Sequence, residues 1–335
     1  MQVFFVPGSF STQPYISEIA LANSRTTFLV FSWLREKGLD TCFSDIPRNV
    51  ILIEFVGRWG RFNYLVWLFQ ALCLLGQCNK VIVSTLPAIL LVGPVAVLRG
   101  KKCILDIRDH SPLYSGIFRS IINWCILKSD LTFISSPGFK KWLPPNSDRY
   151  RITHNFKQSE KTVIRTQYSR SIVCLGKIRD TDKYLELFSL NARRTEPYEI
   201  IVAGFGNAYN SLHRQFHSSG TMNFIGKYHG AEEFEILAQG SILSVVTGDD
   251  INGRSLISNR FYLALAMKKL MIVSEGSYQE TLLKKYAAPY LLVGDLLSLK
   301  DDEVRHLWQR CTTEYESVLD NFRAEYESTI TYYSG

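Results

Sequence analysis

Short apolar runs of strand length alternate with helix-length segments along nearly the whole 335-residue chain. The runs at 80–84, 102–106, 171–175 and 270–273 are examples, and each is separated from the next run by a segment long enough for a helix. Such alternation predicts parallel sheets covered by helices on both faces. Apolar periodicity is lost at 158–169, where charged and hydroxyl residues dominate, and the same alternation then restarts. The sequence therefore predicts two α/β domains joined by a linker.

Within this scheme we expect one domain at 1–157, a second at 170–300 and a helical tail at 301–335. In the first domain, 14–22 and 26–37 are predicted to be helices, and 39–43 and 50–55 are predicted to be strands. The tail carries Trp308 and Phe322 on its apolar side. It would pack back across the two domains.

Composition indicates a globular protein of a reducing compartment. Apolar residues make up 46% of the chain and charged residues 21%, as in ordinary globular proteins. The seven cysteines form no Cys-x-x-Cys pair and mostly lie in apolar runs, which predicts buried free thiols. Apolar runs at 64–76 and 87–98 fall short of the roughly 20 residues that span a bilayer. We expect a cytoplasmic protein without a cleaved signal.

Positive charge is concentrated in the first half. Residues 1–160 contain 18 Lys and Arg against 10 Asp and Glu, whereas residues 161–335 contain 20 against 21. Four tryptophans, Trp33, Trp59, Trp67 and Trp142, lie in the same half. Anionic membrane headgroups are therefore an expected partner, and nucleic acid is not, because no dense basic run or nucleic-acid motif is present. Ordinary solvated side chains remain the alternative.

Ligands of open parallel sheets bind beyond the carboxyl ends of the strands, so residues at those ends are the candidates for a site. In the second half several cations and predicted helix starts lie there, a combination that suits two phosphates. Ser258 is predicted to cap a helix that has Asn259 and Arg260 in its first turn. The other candidates from this half are Arg179, Lys183, Gly204, Gly206, Gly226, Lys227, Tyr228, Asn252 and Glu280.

The segments at 258–269 and 271–278 resemble bacterial GT-B glycosyltransferases, of a GT4-like family, that build capsule, O-antigen or exopolysaccharide. The resemblance extends to the segments at 6–10, 105–109, 176–179, 203–206 and 224–228, in the same order along the chain. It implies two Rossmann-like domains facing a central cleft. It also implies transfer of a sugar from a nucleotide-sugar to a glycan or polyprenyl-linked acceptor, with retained configuration and without a catalytic metal or other cofactor.

The same resemblance implies roles for particular residues. The diphosphate would be held by Arg179 and Lys183, the nucleobase flanked by residues 226–228, and the phosphate or sugar contacted by Asn259 and Arg260. The first domain would bind the acceptor, with Gly8, Ser9, Phe10 and Arg108 at its edge.

Three residues after a predicted first-half strand are candidates for positioning the acceptor hydroxyl and taking its proton. They are Asp106, Asp109 and His110, and Asp109 is preferred. Asp106 has an alternative interpretation as a brace that bonds backbone amides in the turn. His110 has one as an ordinary loop residue.

One position departs from the resemblance. Relatives usually carry a Glu that binds the ribose where this chain has Leu263, so Glu275 or Glu280 would have to replace it. Otherwise the chain is a non-catalytic partner that has lost donor binding. A nucleotide-sugar epimerase is a further alternative.

Two groups of residues have spacings that could suggest a metal site. Asp180 and Asp182 could hold a divalent ion, although a helix cap is the simpler interpretation of their position. His213 and His217 lie four residues apart but lack a third ligand, which favours a surface pair.

Overall fold

The computed structural model describes residues 2–6, 14–34, 47–56, 61–145, 147–154, 167–229 and 232–334. The chain divides into two compact units: unit 1 is Met1–Asn155 with Ala324–Gly335, and unit 2 is Phe156–Arg323. Some predictions fall outside the described residues, namely the strand at 39–43, most of the linker at 158–169, and Gly8, Ser9, Phe10 and Cys42.

Unit 1 contains a parallel sheet of seven strands in the order β3-β2-β1-β4-β5-β6-β7. The strands are β1 (Gln2–Val6), β2 (Phe28–Leu34), β3 (Val50–Val56), β4 (Lys80–Ser84), β5 (Lys102–Ile107), β6 (Leu131–Ile134) and β7 (Tyr150–Ile152). The central strands are buried on both faces, as Val81, Ile82 and Val83 show. This is why they are near-continuous apolar runs in the sequence.

Four helices connect these strands: α1 (Pro14–Ala22), α2 (Arg61–Gly76), α3 (Leu86–Leu98) and α4 (Gly116–Lys128). The connections from β1 to β2 and from β2 to β3 run toward one edge of the sheet, whereas the connections from β3 onward run toward the other edge. Because parallel crossovers are right-handed, α2, α3 and α4 lie on one sheet face and α1 lies on the other. In agreement, α2 packs on α3 and α3 on α4.

The helix predicted at 26–37 is wrong. Residues 28–34 form β2, which is paired in parallel with β1 on one side and β3 on the other. A continuous apolar run of this length is compatible with a buried helix or a buried strand, and periodicity cannot separate them. The segment is a strand because it pairs with two neighbouring strands. The ring of Phe31 also stacks on that of Trp67, with centroids 5.6 Å apart, and this contact holds the strand against the core.

Unit 2 contains a parallel six-stranded sheet in the order β10-β9-β8-β11-β12-β13. The strands are β8 (Ser171–Lys177), β9 (Glu199–Phe205), β10 (Met222–Gly226), β11 (Ile242–Ser244), β12 (Leu270–Val273) and β13 (Leu291–Leu292). The helices are α5 (Thr181–Ala192), α6 (Asn207–Phe216), α7 (Glu233–Ala238), α8 (Ile251–Ser255), α9 (Asn259–Ala266), α10 (Tyr278–Lys285), α11 (Asp295–Ser298) and α12 (Asp301–Ser334).

The predicted C-terminal helix is confirmed as α12, which contributes to both units. In unit 2, Trp308 and Phe322 are buried on its apolar side. In unit 1, the hydroxyl of Thr329 donates to the carbonyl of Ile152 at 2.9 Å, and Glu325 Oε2 lies 2.8 Å from His154 Nε2.

The free cysteines of the described residues are buried except for Cys73. Among the helices of the described ranges, none combines the length and apolar character needed to cross a bilayer.

Candidate functional site

The strand order of unit 2 reverses between β8 and β11, which lie side by side. A crevice at such a reversal, beyond the carboxyl ends of the strands, is where open parallel sheets bind ligands. The loop after β8 begins with Ile178 and Arg179, and the loop after β11 leads through Asp249 to α8. The candidate site of unit 2 is therefore built on these two loops.

Two glycines set the spacing between the ends of β8 and β9. Gly204 has a φ of 146°, and a Cβ there would lie 1.8 Å from the carbonyl oxygen of Gly176. Gly206 has a φ of 132°, and its Cβ would lie 2.3 Å from the carbonyl oxygen of Ile178. Both values forbid a side chain. The predicted candidates Gly204 and Gly206 are thus required by the backbone itself, whether or not a ligand lies over them.

A cation and a carboxylate join the two loops. Lys183 Nζ, on α5, lies 2.9 Å from Asp249 Oδ2, in the loop after β11. Hydrogen bonding from Lys183 holds the pKa of Asp249 below its usual value, and the pKa of Lys183 is correspondingly raised. Arg254 Nη2 is 3.8 Å from the same carboxylate. This cluster places two cations at the edge with one anion between them.

Arg260 is half-buried below this edge. Its guanidinium donates to the hydroxyl of Tyr184 and to the carbonyl of Val246 at 3.2 Å. Tyr184 is buried, and burial raises the pKa of its hydroxyl. Arg260 therefore ties α5 and α9 to the end of β11, while its full charge stays beneath the loop. The geometry adds this structural role to the predicted phosphate role.

Arg179, in contrast, is exposed in the loop that leads from β8 to α5. Asn259 is likewise exposed in the first turn of α9, and Asn252 is half-buried in α8. Of the predicted diphosphate ligands, Arg179 is therefore the arginine whose side chain is accessible to a ligand.

The predicted helix that starts after Ser258 is confirmed as α9, with Ser258 at its N-cap position. Ser258 makes no side-chain cap bond, however, and the preceding residues form the separate short helix α8. Its backbone N–H and hydroxyl both donate to Gln279 Oε1, at 3.1 and 2.8 Å. Gln279 is fully buried and donates in turn to the carbonyl of Val245 at 3.0 Å. A glutamine from α10 thus holds the start of α9, a tertiary contact that no local pattern signals.

Glu280 is buried at the start of α10, with both carboxylate oxygens engaged. Its Oε2 accepts from the backbone N–H of Gly276 at 2.6 Å, and its Oε1 lies 2.6 Å from Lys284 Nζ. The hydroxyl of Ser277 accepts from the Glu280 backbone N–H at 3.2 Å, so Ser277 caps α10, while the Glu280 carboxylate holds the turn that precedes the cap. The expected ribose-binding role of Glu280 does not anticipate this bracing of the turn. Glu275 is exposed on the preceding turn.

We expect Glu280→Ala to lower the free energy of unfolding by about 1–2 kcal/mol, because it leaves the backbone N–H of Gly276 without its acceptor. Glu275→Ala is the matched control, since Glu275 is exposed. Urea unfolding followed by circular dichroism measures both variants. Equal midpoints for the two variants would contradict the bracing role of Glu280.

The edge of β10 carries the residues predicted to flank a nucleobase. Gly226 has a φ of 84°, and Lys227 is exposed with its Nζ 5.7 Å from the centre of the Phe205 ring. Tyr228 is half-buried and donates its hydroxyl to Glu233 Oε2 at 3.2 Å, and burial raises its pKa. Phe205, at the end of β9, is 48% exposed. Sequence reasoning missed Phe205 as a candidate site residue. Its one sequence signal is its position at the end of a strand, since its proximity to Lys227 is seen only in the structure.

The carboxylates near this site bond mainly to the protein. Asp250 Oδ1 accepts from the backbone N–H of Gly253 at 2.7 Å and caps α8. Asp180 occupies the N-cap position of α5, but its side chain makes no cap bond to that helix, and burial raises the pKa of its carboxyl. Asp182 is exposed in the first turn of α5. Within the described ranges no three His, Cys, Asp or Glu side chains come together as metal ligands would.

In unit 1, Asp106 is fully buried at the end of β5. Its Oδ2 accepts from the Ser84 hydroxyl at 2.8 Å and from Arg108 Nε at 2.9 Å. Arg108 also donates to the carbonyl of Thr153 at 3.2 Å. These bonds tie the ends of β4, β5 and β7 together. They give Asp106 a bracing role through side chains, where the sequence had suggested backbone amides.

Asp109 and His110 follow this brace. Asp109 is exposed, whereas His110 is half-buried with its ring against Tyr114 and Trp142, at centroid distances of 6.0 and 5.2 Å. The aromatic contacts fix the plane of the imidazole. Of the three predicted catalytic residues, Asp109 therefore has the most accessible carboxylate, and His110 has a defined orientation.

Thr85 adds an unpredicted feature at this edge. Its φ is 72°, which is rare for a β-branched residue, and its backbone N–H donates to the carbonyl of Asp106 at 2.7 Å. The strained residue thus lies directly between β4 and α3, beside the brace. Nothing in the local sequence distinguishes it from an ordinary strand end.

Comparison with known proteins bears on the fold. No protein-family model and no curated protein matches the sequence. Among solved structures, Anabaena HepE in complex with UDP and glucose is similar, with a TM-score of 0.70 and 11% identity, covering 100% of this chain and 97% of that one. Sucrose-phosphate synthase from Thermosynechococcus elongatus gives 0.70 and 11%, covering 99% and 98%. The lipopolysaccharide outer core galactosyltransferase WaaB gives 0.63 and 14%, covering 99% and 98%.

At such low identity these likenesses show the fold alone. The expected α/β class is confirmed: the chain has the GT-B fold, with two Rossmann-like parallel-sheet domains and a C-terminal helix.

Proposed function

We propose that the protein is a glycosyltransferase that takes a sugar from a nucleotide-sugar donor bound at the carboxyl edge of the unit 2 sheet. One observation carries the proposal: Lys183, Arg254 and the accessible Arg179 gather at the strand-order reversal, beside the starts of α5 and α8. Cations placed there without a nucleophile suit binding of a diphosphate rather than its hydrolysis. The UDP bound to HepE, whose structure is similar over the whole chain, supports this choice of ligand.

The nucleobase would lie over the Phe205 face, near Lys227 and Tyr228. An exposed aromatic ring at a strand end offers a stacking surface for any base. The diphosphate would then extend toward Arg179 and Lys183. In this arrangement Lys183 would leave its ion pair with Asp249 and contact the diphosphate instead. A solvent-accessible ion pair contributes little, so contacts with a doubly charged group would replace it favourably.

The transfer would break the bond between the anomeric carbon and the diphosphate oxygen and form one to an acceptor hydroxyl. Arg179 and Lys183 would stabilise the negative charge on the leaving diphosphate. The acceptor proton would pass to Asp109 or to the departing phosphate. We further propose retained anomeric configuration, no catalytic metal or other cofactor, and a glycan or polyprenyl-linked acceptor that is contacted by Arg108, Gly8, Ser9 and Phe10.

The proposed setting is surface polysaccharide synthesis, as in capsule or O-antigen assembly, at the inner face of the cell membrane. The excess of Lys and Arg in residues 1–160 supports attachment to anionic lipid.

Thermal unfolding with a panel of nucleotide-sugars tests the proposed donor. A ligand at 100 times its dissociation constant adds about 2.7 kcal/mol to the free energy of unfolding, which raises the Tm of a domain this size by roughly 5–10 °C. We expect a shift with at least one UDP-, GDP- or CMP-sugar and a reduced shift in Arg179→Ala. The absence of a shift with every donor and with the free nucleotides would contradict the proposal.

A non-catalytic partner is the second candidate, and the ribose end of the site favours it. Leu263 is half-buried where a carboxylate would be expected, and both oxygens of Glu280 are engaged, by the Gly276 N–H and by Lys284. The exposed Glu275 is then the remaining carboxylate of the two candidates for the ribose. A protein that binds no nucleotide in the same panel would be such a partner. Release of an epimerised nucleotide-sugar without acceptor would instead indicate an epimerase.

A further inference from the structure

Unit 1 has most of the exposed large apolar side chains found among the described residues, ten against four in unit 2. Six of the ten lie on the three consecutive helices that cover one face of its sheet. They are Leu65 and Phe69 on α2, Leu98 at the end of α3, and Ile117, Phe118 and Leu127 on α4. We call the exposed surface of these helices the α2–α4 face. A concentration of exposed apolar side chains on one side of a domain is typical of an interaction surface.

The same face contains a groove between α3 and α4. Leu90 and Pro94 line it on α3, and Ile121 and Trp124 line it on α4. Ile117 and Phe118, in the first turn of α4, are 72% and 43% exposed. The apolar surface therefore continues from the first turn of α4 into a recess between the two helices.

Charge on this face has one sign. Residues 61–105, which include α2 and α3, contain no Asp or Glu, and α4 contains none either. The cations Arg119 and Lys128 are exposed on α4, and Arg99 and Lys102 are exposed beyond α3. Complementarity therefore requires an anionic partner.

Like charges are also crowded at the amino end of the sheet. Lys80 and Lys102 are register neighbours on β4 and β5. Burial, together with the neighbouring charge of Lys102, lowers the pKa of Lys80 to about 8. Asp130, after α4, accepts from the backbone N–H of Cys103 at 2.7 Å. An anionic surface would relieve this repulsion.

We propose that the α2–α4 face docks on an anionic phospholipid surface, with Ile117 and Phe118 entering the headgroup region and Arg119 and Lys128 contacting lipid phosphates. The proposal rests on the membrane attachment proposed above and names the surface that provides it. Apolar side chains flanked by cations, without carboxylates, are what an anionic bilayer surface binds. A second copy of the same face is disfavoured, because pairing would oppose cations to cations.

Vesicle co-sedimentation of the full chain tests the surface. Vesicles of phosphatidylcholine with about 30% phosphatidylglycerol should bind the wild-type protein, and pure phosphatidylcholine vesicles should bind it at least tenfold more weakly. The double variant Ile117→Glu with Phe118→Glu should lose at least tenfold in binding to the anionic vesicles. The matched control is Leu21→Glu with Leu297→Glu, two exposed apolar residues outside this face, and it should bind as the wild type does.

A charge variant separates the electrostatic part. Arg119→Gln with Lys128→Gln should weaken anionic binding by roughly 25-fold, at about fivefold for each cation, and added salt should weaken the wild type similarly. Arg193→Gln with Arg214→Gln, exposed cations of unit 2, is the control and should change nothing.

Three outcomes would overturn the proposal: no binding to anionic vesicles, equal binding of the apolar variant and its control, or loss of self-association in sedimentation velocity as the main effect of the variant. The nucleotide-induced thermal shift is measured on the same proteins. Because the substituted residues are exposed and lie outside the loops after β8 and β11, that shift should persist in every variant. Vesicle binding therefore reports on docking, and the thermal shift reports independently on donor binding.

Discussion

Replacing Gly204 by alanine is expected to lower the free energy of unfolding by about 4 kcal/mol or more and to leave little folded protein at 37 °C. A Cβ at this position would lie 1.8 Å from the carbonyl oxygen of Gly176, and both are backbone positions of paired strands that cannot yield separately. The φ of 146° adds strain for any residue with a side chain. Effects this large are exceptional for one methyl group and indicate backbone overlap.

Two further variants make this result quantitative. Gly206→Ala, with its Cβ 2.3 Å from the Ile178 carbonyl oxygen, should also be strongly destabilising. Gly220→Ala, where a Cβ would meet nothing within 4 Å, should remain within about 0.5 kcal/mol of the wild type. Urea unfolding and the soluble yield of the three variants provide the measurement. Similar stability of Gly204→Ala and Gly220→Ala would show that the strand ends are not held as close as described.

The two arginines of the candidate site are expected to behave differently. Arg260→Ala should lower the free energy of unfolding by about 3 kcal/mol, because it removes a half-buried guanidinium from the Tyr184 hydroxyl and the Val246 carbonyl. It should also weaken nucleotide binding. Arg179→Ala should leave stability unchanged and weaken nucleotide binding by roughly 1.5–3 kcal/mol, the effect of losing a bond to a charged group.

Calorimetric titration with UDP, GDP and CMP gives the affinities, and urea unfolding gives the stabilities. Unchanged affinity in both variants would refute the diphosphate site. An Arg260→Ala protein as stable as the wild type would refute the structural role of that arginine, whatever its effect on binding.

Some elements of the fold can be located from the sequence and others cannot. The strand at 80–84 and the helix at 14–22 are confirmed to the residue, because an apolar run or periodic segment there has a clear length and clear ends. The run at 28–34 failed, because a short, fully apolar segment fits either structure until its neighbours are known. At the candidate site, sequence reasoning placed Arg179 and Arg260 together as ligands, yet one is exposed and the other holds the protein together.

The sequence by itself determined the class of this protein. Alternation of apolar runs and helices, repeated on both sides of a polar stretch, requires two parallel sheets, and parallel sheets place their loops at one edge. Tertiary structure alone decided what the loop residues do. Gln279 holds the start of α9, the Glu280 carboxylate holds the turn before α10, and Asp106 braces three strands. Such roles depend on distance and burial, which residue order does not encode locally.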